Sequence, residues 1–405
     1  MYRFLFSISL LSLSLSFSGC ASFPRESDFL KCDLNPNPIR QSPSTITGRE
    51  EGSKQWLNSI TNDMEMCKES SGTFSVLSLS GGGPDGAFGA GFLVARLEKE
   101  TLNPCLVTGV STGAVMASYV YLATSEDIKR RSYGIEMLKS FYQGLDDKNL
   151  VSKYSIVTLP FHVSLYDVSG IRSLLKERVN ENLLNMINME YQQSHRRLAI
   201  GATDIATGDF DIIDLTVYID SNNSKLAHRD IQACYQEAIR ASAAIPLVFP
   251  PVPIEEQDTP GKFSKKVYVD GGVRHMMFIN AHQIHTLANN RPVRVYGVVN
   301  KVFGIAGENR VTLLQAANQS IGIATDQLYM DAAYSVDSTV KAMKGSKVLW
   351  ATILGNDEAN VCTSKLNENL FNPEYQKCLY ELGTKVANTG SGWSDDPWPI
   401  YITPY

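Results

Sequence analysis

The sequence predicts a three-layer α/β/α domain with a mostly parallel central sheet and helices on both faces. Two observations carry this. Short apolar strand patterns alternate with helical ones along the chain, the arrangement that builds parallel sheets. Two strand-to-helix junctions are glycine-rich turns, Ser80–Gly86 and Gly109–Gly113. Such turns leave backbone N–H groups bare at a helix N-terminus. In open sheets of this kind, sites form at the C-terminal edge of the strands.

The 405 residues are 43% apolar and 20% charged, with a net charge of −5. That composition suits a large globular core. It offers no basic stripe, so nucleic acid is not an expected partner. The chain opens on Met1-Tyr2-Arg3 and an apolar, serine-interleaved run from Phe4 to Phe17. This reads as a signal peptide over residues 1–19, too short to span a membrane as a helix. It ends Phe17-Ser18-Gly19-Cys20-Ala21, which resembles the lipobox of bacterial lipoproteins. The resemblance implies an acylated Cys20, a lipid-anchored protein of the cell envelope and, from Ala21, the outer membrane. Phe17 departs from the usual Leu.

Residues 20–70 read as a tether followed by a short helix. Up to about residue 50 the segment is rich in Ser, Pro, Asn and Thr, which predicts a flexible linker. Trp56, Leu57, Ile60 and Met64 then follow helical spacing. Residues 71–390 form the predicted domain, and 391–405 a docked C-terminal tail. Six cysteines remain besides Cys20, an even number in an exported chain. Cys32 with Cys67, and Cys362 with Cys378, are the expected disulfides, because each pair brackets a local excursion. Cys105 and Cys234 sit in apolar segments and read as buried thiols. No cysteine or histidine spacing points to a metal, and no cofactor is implied.

Inside the domain, Phe74–Leu79 is a strand and Phe88–Leu97 a helical face, with Ser80-Gly81-Gly82-Gly83-Pro84-Asp85-Gly86 between them. The Lys of a phosphate loop is missing, so the turn reads as an anion nest for an oxyanion. Leu106 and Val107 start a second strand, and Gly109-Val110-Ser111-Thr112-Gly113 fits G-x-S-x-G before an apolar helix, Ala114–Leu122. A serine on so sharp a turn is lifted clear of the backbone at a helix N-terminus, where developing negative charge is favoured. A third strand, Lys266–Val269, stops at Asp270-Gly271-Gly272. Strands over Val293–Val299 and Lys347–Leu354, and helices over Thr312–Met343 and Gln376–Val386, complete the same domain. Lys129-Arg130-Arg131 reads as a solvated helix end. The apolar loop Val157–Val163 is either packed core or a lid that touches lipid.

The glycine turn, G-x-S-x-G and D-G-G, in this order, resemble the patatin-like phospholipase family. Leu198–Asp204 with Ala206-Thr207-Gly208, and Ala241–Pro246 with Phe249-Pro250-Pro251, fit its middle strand and its apolar segment before D-G-G. The resemblance covers roughly residues 74 to 300. It implies a patatin-like fold, Ser111 as nucleophile, Asp270 as its direct partner without histidine, and an oxyanion hole from Gly81, Gly82 and Gly83. It further implies hydrolysis of fatty-acyl esters in phospholipid or lysophospholipid substrates at a membrane. One position departs: the family's usual Arg or Lys is Asp85 here, and a carboxylate is expected neither to hold the oxyanion loop nor to attract a headgroup. Two other readings remain open. One is a Ser–His–Asp esterase using His275 or His282. The other is a catalytically silent, lipid-tethered binding module.

Overall fold

The computed structural model describes residues 23–34, 37–39, 58, 63, 66–67, 72–142, 145–155, 157–222, 228–259, 262–279, 288, 291–302, 313–353, 361–366, 369–390 and 392–397. The signal peptide, Cys20, most of the tether, His282 and residues 398–405 lie outside them. Within the expected helix at 50–67, positions 58, 63 and 66 are helical.

The strands are β1 (Leu30–Cys32), β2 (Asn37–Ile39), β3 (Phe74–Leu79), β4 (Leu106–Val110), β5 (Ser152–Lys153), β6 (Tyr166–Asp167), β7 (Arg197–Asp204), β8 (Phe210–Asp214), β9 (Val252–Thr259), β10 (Lys262–Asp270), β11 (Val293–Val299) and β12 (Lys347–Thr352). The α-helices are α1 (Gly86–Leu97), α2 (Thr112–Ala123), α3 (Ile128–Phe141), α4 (Asp147–Leu150), α5 (Ser169–Arg178), α6 (Glu181–Ser194), α7 (Leu215–Asn222), α8 (His228–Ser242), α9 (Leu313–Ala342) and α10 (Pro373–Asn388). All but β5 and β6 join one sheet, in the order β1-β9-β10-β7-β4-β3-β11-β12, with β8 on β7 and β2 on β8. The run β12-β11-β3-β4-β7 is parallel throughout, as the alternating pattern predicts. The remainder is antiparallel except for β1 beside β9.

Strand alternation sorts the core onto two faces. Leu77, Leu79, Val107 and Val298 point into a large cluster with α1, α2, α8 and α10. Val76, Leu106, Val110 and Val295 point into a second cluster with α9, through Tyr329, Ala333, Val336 and Val340. The sheet is therefore covered on both sides, the three-layer arrangement read from the sequence. Among the described residues no helix is long and apolar enough to cross a membrane.

β7 organises the site. Its residues Ala199–Thr203 pair with β8 along one edge. Along the other edge it pairs first with β4, up to Val110 opposite Gly201, and then with β10, from Asp270 opposite Ala202. The parallel β4 and the antiparallel β10 thus meet head to head on a single strand edge. Asp270 reaches the end of β4 this way, at the end of an antiparallel strand. Gly271 makes the junction possible: a Cβ there would lie 2.3 Å from the Gly201 carbonyl oxygen.

Several expectations are corrected. Residues 30–32 and 37–39, read as tether, are sheet strands, because β9 and β8 each leave an edge that a neighbouring segment satisfies. The disulfides are Cys32–Cys234, Cys67–Cys105 and Cys362–Cys378. Cys32 does not pair with Cys67, and Cys105 and Cys234 are not free thiols. β1 docks on the sheet edge beside β9, carrying Cys32 to α8, a partner 202 residues away that local spacing could not reveal. Lys129-Arg130-Arg131 begins α3 rather than ending a helix, and Arg130 is buried against Glu190, with Nε at 2.8 Å. Of the tail, Trp393 is buried and Ser394 is bridged to Trp350. Replacing both Cys32 and Cys234 by Ser is expected to cost about 2–5 kcal/mol of stability, measurable by denaturant unfolding with and without reductant.

Candidate active site

Ser111 sits between β4 and α2 with φ 55° and ψ −125°, a left-handed conformation rare for any residue but glycine. This is the strained elbow the G-x-S-x-G spacing predicts. Its cost is met by fixed partners. The Ser111 N–H donates to Ser242 Oγ at 3.1 Å, and Ser242 Oγ–H donates to the Gly201 carbonyl at 2.6 Å. Ser242, at the end of α8, therefore ties the elbow to β7. Sequence reasoning gave it no role; its only signal was a place in the small-residue run Ala241–Ala244.

The Ser111 hydroxyl donates directly to Asp270 Oδ2 at 2.6 Å. Asp270 Oδ1 accepts the Gly272 N–H at 2.7 Å, and the Asp270 N–H donates to the Ala244 carbonyl at 2.9 Å. The carboxylate is thereby oriented by its own turn and by the segment after α8. Both residues are 5% exposed. Burial pushes the Asp270 carboxyl up to about 6, against the lowering effect of the bonds from Ser111 and Gly272. A buried carboxylate with a raised pKa, in contact with a strained serine, is suited to take its proton. His275 lies five residues on, packed edge-on against Phe210 with centroids 4.8 Å apart. Burial, with Arg274 beside it, pushes its pKa down to about 4. Nothing comes between the Ser111 hydroxyl and Asp270, so the geometry favours the direct pair over a histidine relay.

The glycine turn runs from the end of β3 alongside Ser111. Gly82 has φ 144°, and a Cβ there would lie 1.6 Å from the Asn300 carbonyl oxygen, so only glycine fits. The three glycines are not equivalent. The Gly81 N–H is spent on the Met276 carbonyl at 3.1 Å, which corrects the expectation that all three serve an oxyanion. Among the described residues, the Gly82 and Gly83 N–H groups have no hydrogen-bond partner, and Gly83 lines the cleft with Ser111 and Thr112. Thr112 opens α2, where the first N–H groups of a helix have no partner within it. Gly83 and Thr112, which line the cleft, and Gly82 next to them are the candidate donors for an oxyanion.

Asp85 does what a carboxylate was expected not to do. It is buried behind the turn, where Oδ1 accepts the Tyr375 hydroxyl at 2.6 Å and Oδ2 the Val302 N–H at 3.0 Å. Burial raises its pKa, opposed by those two bonds. The Ser80 hydroxyl accepts the Asn300 N–H at 2.8 Å, and Asn300 Nδ2 donates to the Ser80 carbonyl at 3.0 Å. The turn is held from behind by α10 and by the segment after β11, so its amides can face forward. Tyr329 of α9 is buried beside Gly81, its hydroxyl 3.3 Å from where a Gly81 Cβ would stand.

In front of Ser111 opens a cleft of about 840 Å³, part of it open to solvent. Its walls are apolar: Val115, Leu174, Leu175, Ile239, Ile245 and Phe249 among others. Its lining matches a hydrocarbon chain. Removing the Tyr375 hydroxyl (Tyr375→Phe) leaves a buried Asp85 oxygen without its donor. The expected result is a loss of about 1–3 kcal/mol of stability and a lower kcat on ester substrates, checked by thermal unfolding and steady-state kinetics.

Residues 77–282, just over half of the chain, match the family model of the patatin-like phospholipases. Among solved structures, the chain is similar to VipD from Legionella pneumophila at 13% identity, covering 81% of this chain and 70% of that one with a TM-score of 0.27. No curated protein matches the sequence. The match spans the glycine turn, the strained serine, the middle strand and the D-G-G turn, which the structure brings to one point beside an apolar cleft. The chain belongs to the patatin-like phospholipase family and is a lipid acyl hydrolase.

Proposed function

We propose that this protein is a membrane-anchored serine hydrolase that cleaves fatty-acyl esters of phospholipids or lysophospholipids through a Ser111–Asp270 dyad. The observation that carries this is the direct 2.6 Å hydrogen bond between the two side chains at the cleft floor. Asp270 takes the hydroxyl proton as Ser111 Oγ attacks the ester carbonyl. Negative charge builds on the carbonyl oxygen and is met by the Gly82, Gly83 and Thr112 amides. As the tetrahedral adduct collapses, Asp270 returns the proton to the departing alcohol, leaving an acyl-serine. Water then repeats the sequence, and the free fatty acid departs.

The cleft supports a lipid substrate by its energetics. Burial is favourable by about 0.8 kcal/mol per methylene, so a chain of a dozen carbons gains roughly 10 kcal/mol over water. That matches what the same chain gains in a bilayer, so a lipid can move between the two at little net cost. Loss of either dyad member removes the chemistry. Ser111→Ala and Asp270→Asn should each lower kcat by about 10²-fold or more while unfolding as the parent does. Full turnover by either variant would rule out the dyad. A fluorophosphonate should label Ser111, and failure to do so would favour a silent binding module. Because the base must be ionised, turnover should fall as pH drops through about 6, the raised pKa of Asp270, and level off above it.

The anchor half of the proposal rests on the sequence around Cys20. Stable membrane attachment needs more than one acyl chain, and a lipoprotein cysteine carries enough. Cys20→Ser should shift the protein from the membrane to the soluble fraction and abolish palmitate incorporation.

A further inference from the structure

A hairpin stands at the mouth of the cleft. β5 and β6 pair antiparallel, and the Tyr154 N–H donates to the Leu165 carbonyl at 3.0 Å. The Tyr154 and His162 rings stack at 3.5 Å across the loop. Its far side is clipped to the turn after α8: the Leu165 N–H donates to the Leu247 carbonyl at 2.7 Å, and the Tyr166 N–H to the Val248 carbonyl at 3.2 Å. That turn continues from Ile245 to Phe249 and Pro250, all cleft-lining, and Val168 beyond β6 lines the cleft too. The hairpin is therefore an extension of the cleft wall.

Its tip is apolar and outward. Val157 is 83% exposed, Phe161 62% and Val163 37%, and Leu247 in the clipped turn is 52%. None of these is packed core, which removes one of the two readings open for Val157–Val163. Leu247 holds a φ of 68°, strain for a bulky side chain that such turns carry where function requires it. From Tyr154 to Tyr166 there is no Asp, Glu, Lys or Arg, in a chain where one residue in five is charged.

We infer that this hairpin tip, with Leu247, is the surface that seats the enzyme on a lipid bilayer, independently of any acyl anchor. The inference rests on the reading of this cleft as an acyl-chain site. A hydrocarbon chain passing from bilayer to cleft through water would expose each methylene on the way. A rim of exposed apolar side chains continuous with the cleft wall closes that gap. Lack of formal charge fits an uncharged or zwitterionic surface and makes the attachment insensitive to salt. Exposed apolar side chains gathered on one uncharged hairpin and the turn clipped to it point to an interaction site.

The test uses the full chain carrying Cys20→Ser, so that no acyl group contributes, and compares it with the same chain carrying Val157→Asp and Phe161→Asp. A second variant, Leu247→Gly, removes an apolar side chain at a position where glycine relieves strain. Binding is read by co-sedimentation with phosphatidylcholine vesicles at low and high salt. Hydrolysis is read on the same vesicles and on p-nitrophenyl butyrate, a soluble monomeric ester. The double variant should lose vesicle binding and vesicle hydrolysis by at least about tenfold, since each apolar side chain withdrawn from lipid is worth about that factor. Turnover of the soluble ester should stay within about twofold, because neither residue touches the cleft. Leu247→Gly should weaken binding in the same sense. Parent binding that vanishes at high salt, or a double variant that binds vesicles as the parent does, would overturn the inference. Equal losses on both substrates would do so as well. If the parent hydrolyses neither substrate, the catalytic proposal fails, while the co-sedimentation result still decides the surface.

Discussion

The site depends on two strands sharing one edge of β7. β4 arrives parallel and stops at Val110; β10 arrives from the opposite direction and stops at Asp270, one register step further along. A strand edge offers a fixed row of hydrogen-bonding groups, so the two ends are set relative to each other by backbone pairing rather than by side-chain packing. The elbow at Ser111 then needs only to turn its hydroxyl toward the other strand's last residue. Ser242 locks this from the side, since its hydroxyl bonds both the elbow's N–H and the β7 carbonyl. The strained φ at Ser111 persists because its surroundings over-determine it.

Around this junction, polar and apolar surfaces are segregated. Behind the glycine turn the groups are buried and paired: Asp85 with Tyr375 and Val302, and Ser80 with Asn300. In front, the cleft is walled by aliphatic and aromatic side chains. An unpaired buried polar group is costly, and the bonds that Asp85 and Ser80 make hold the turn from behind. Asp85 belongs to that backing. Its reversed charge relative to the family's usual Arg or Lys changes how the turn is held rather than whether it is held. Burial raises the pKa of both Asp85 and Asp270, and at Asp270 this makes the carboxylate a stronger base toward Ser111.

Much of this was legible in the chain. β3 and β11 lie at the predicted residues, and α9 and β12 within two residues of theirs, because long apolar runs with a consistent period leave few alternatives. The glycine turn and the elbow were visible as spacing, since each demands small residues at fixed offsets. What escaped notice were short or amphipathic elements whose partners lie far off in sequence: β1 and β2, read as tether, and the charged start of α3, where Arg130 is buried against Glu190. The Cys32–Cys234 disulfide was hidden for the same reason, Ser242 looked unremarkable until its neighbours were in place, and Asp85 stood out only as a departure, with nothing to show the bonds it makes.

The sequence alone determined the long apolar elements, their alternation, and the three turns that carry a hydroxyl, a carboxylate and bare amides, because each is a local requirement of backbone geometry. Only the tertiary structure decided that β10 meets β4 head to head, that Gly81 spends its N–H on Met276, and that Asp85 braces the turn it was expected to weaken. These are outcomes of which distant segments pair, and a hydrogen bond between residues hundreds of positions apart leaves no periodic trace in either one.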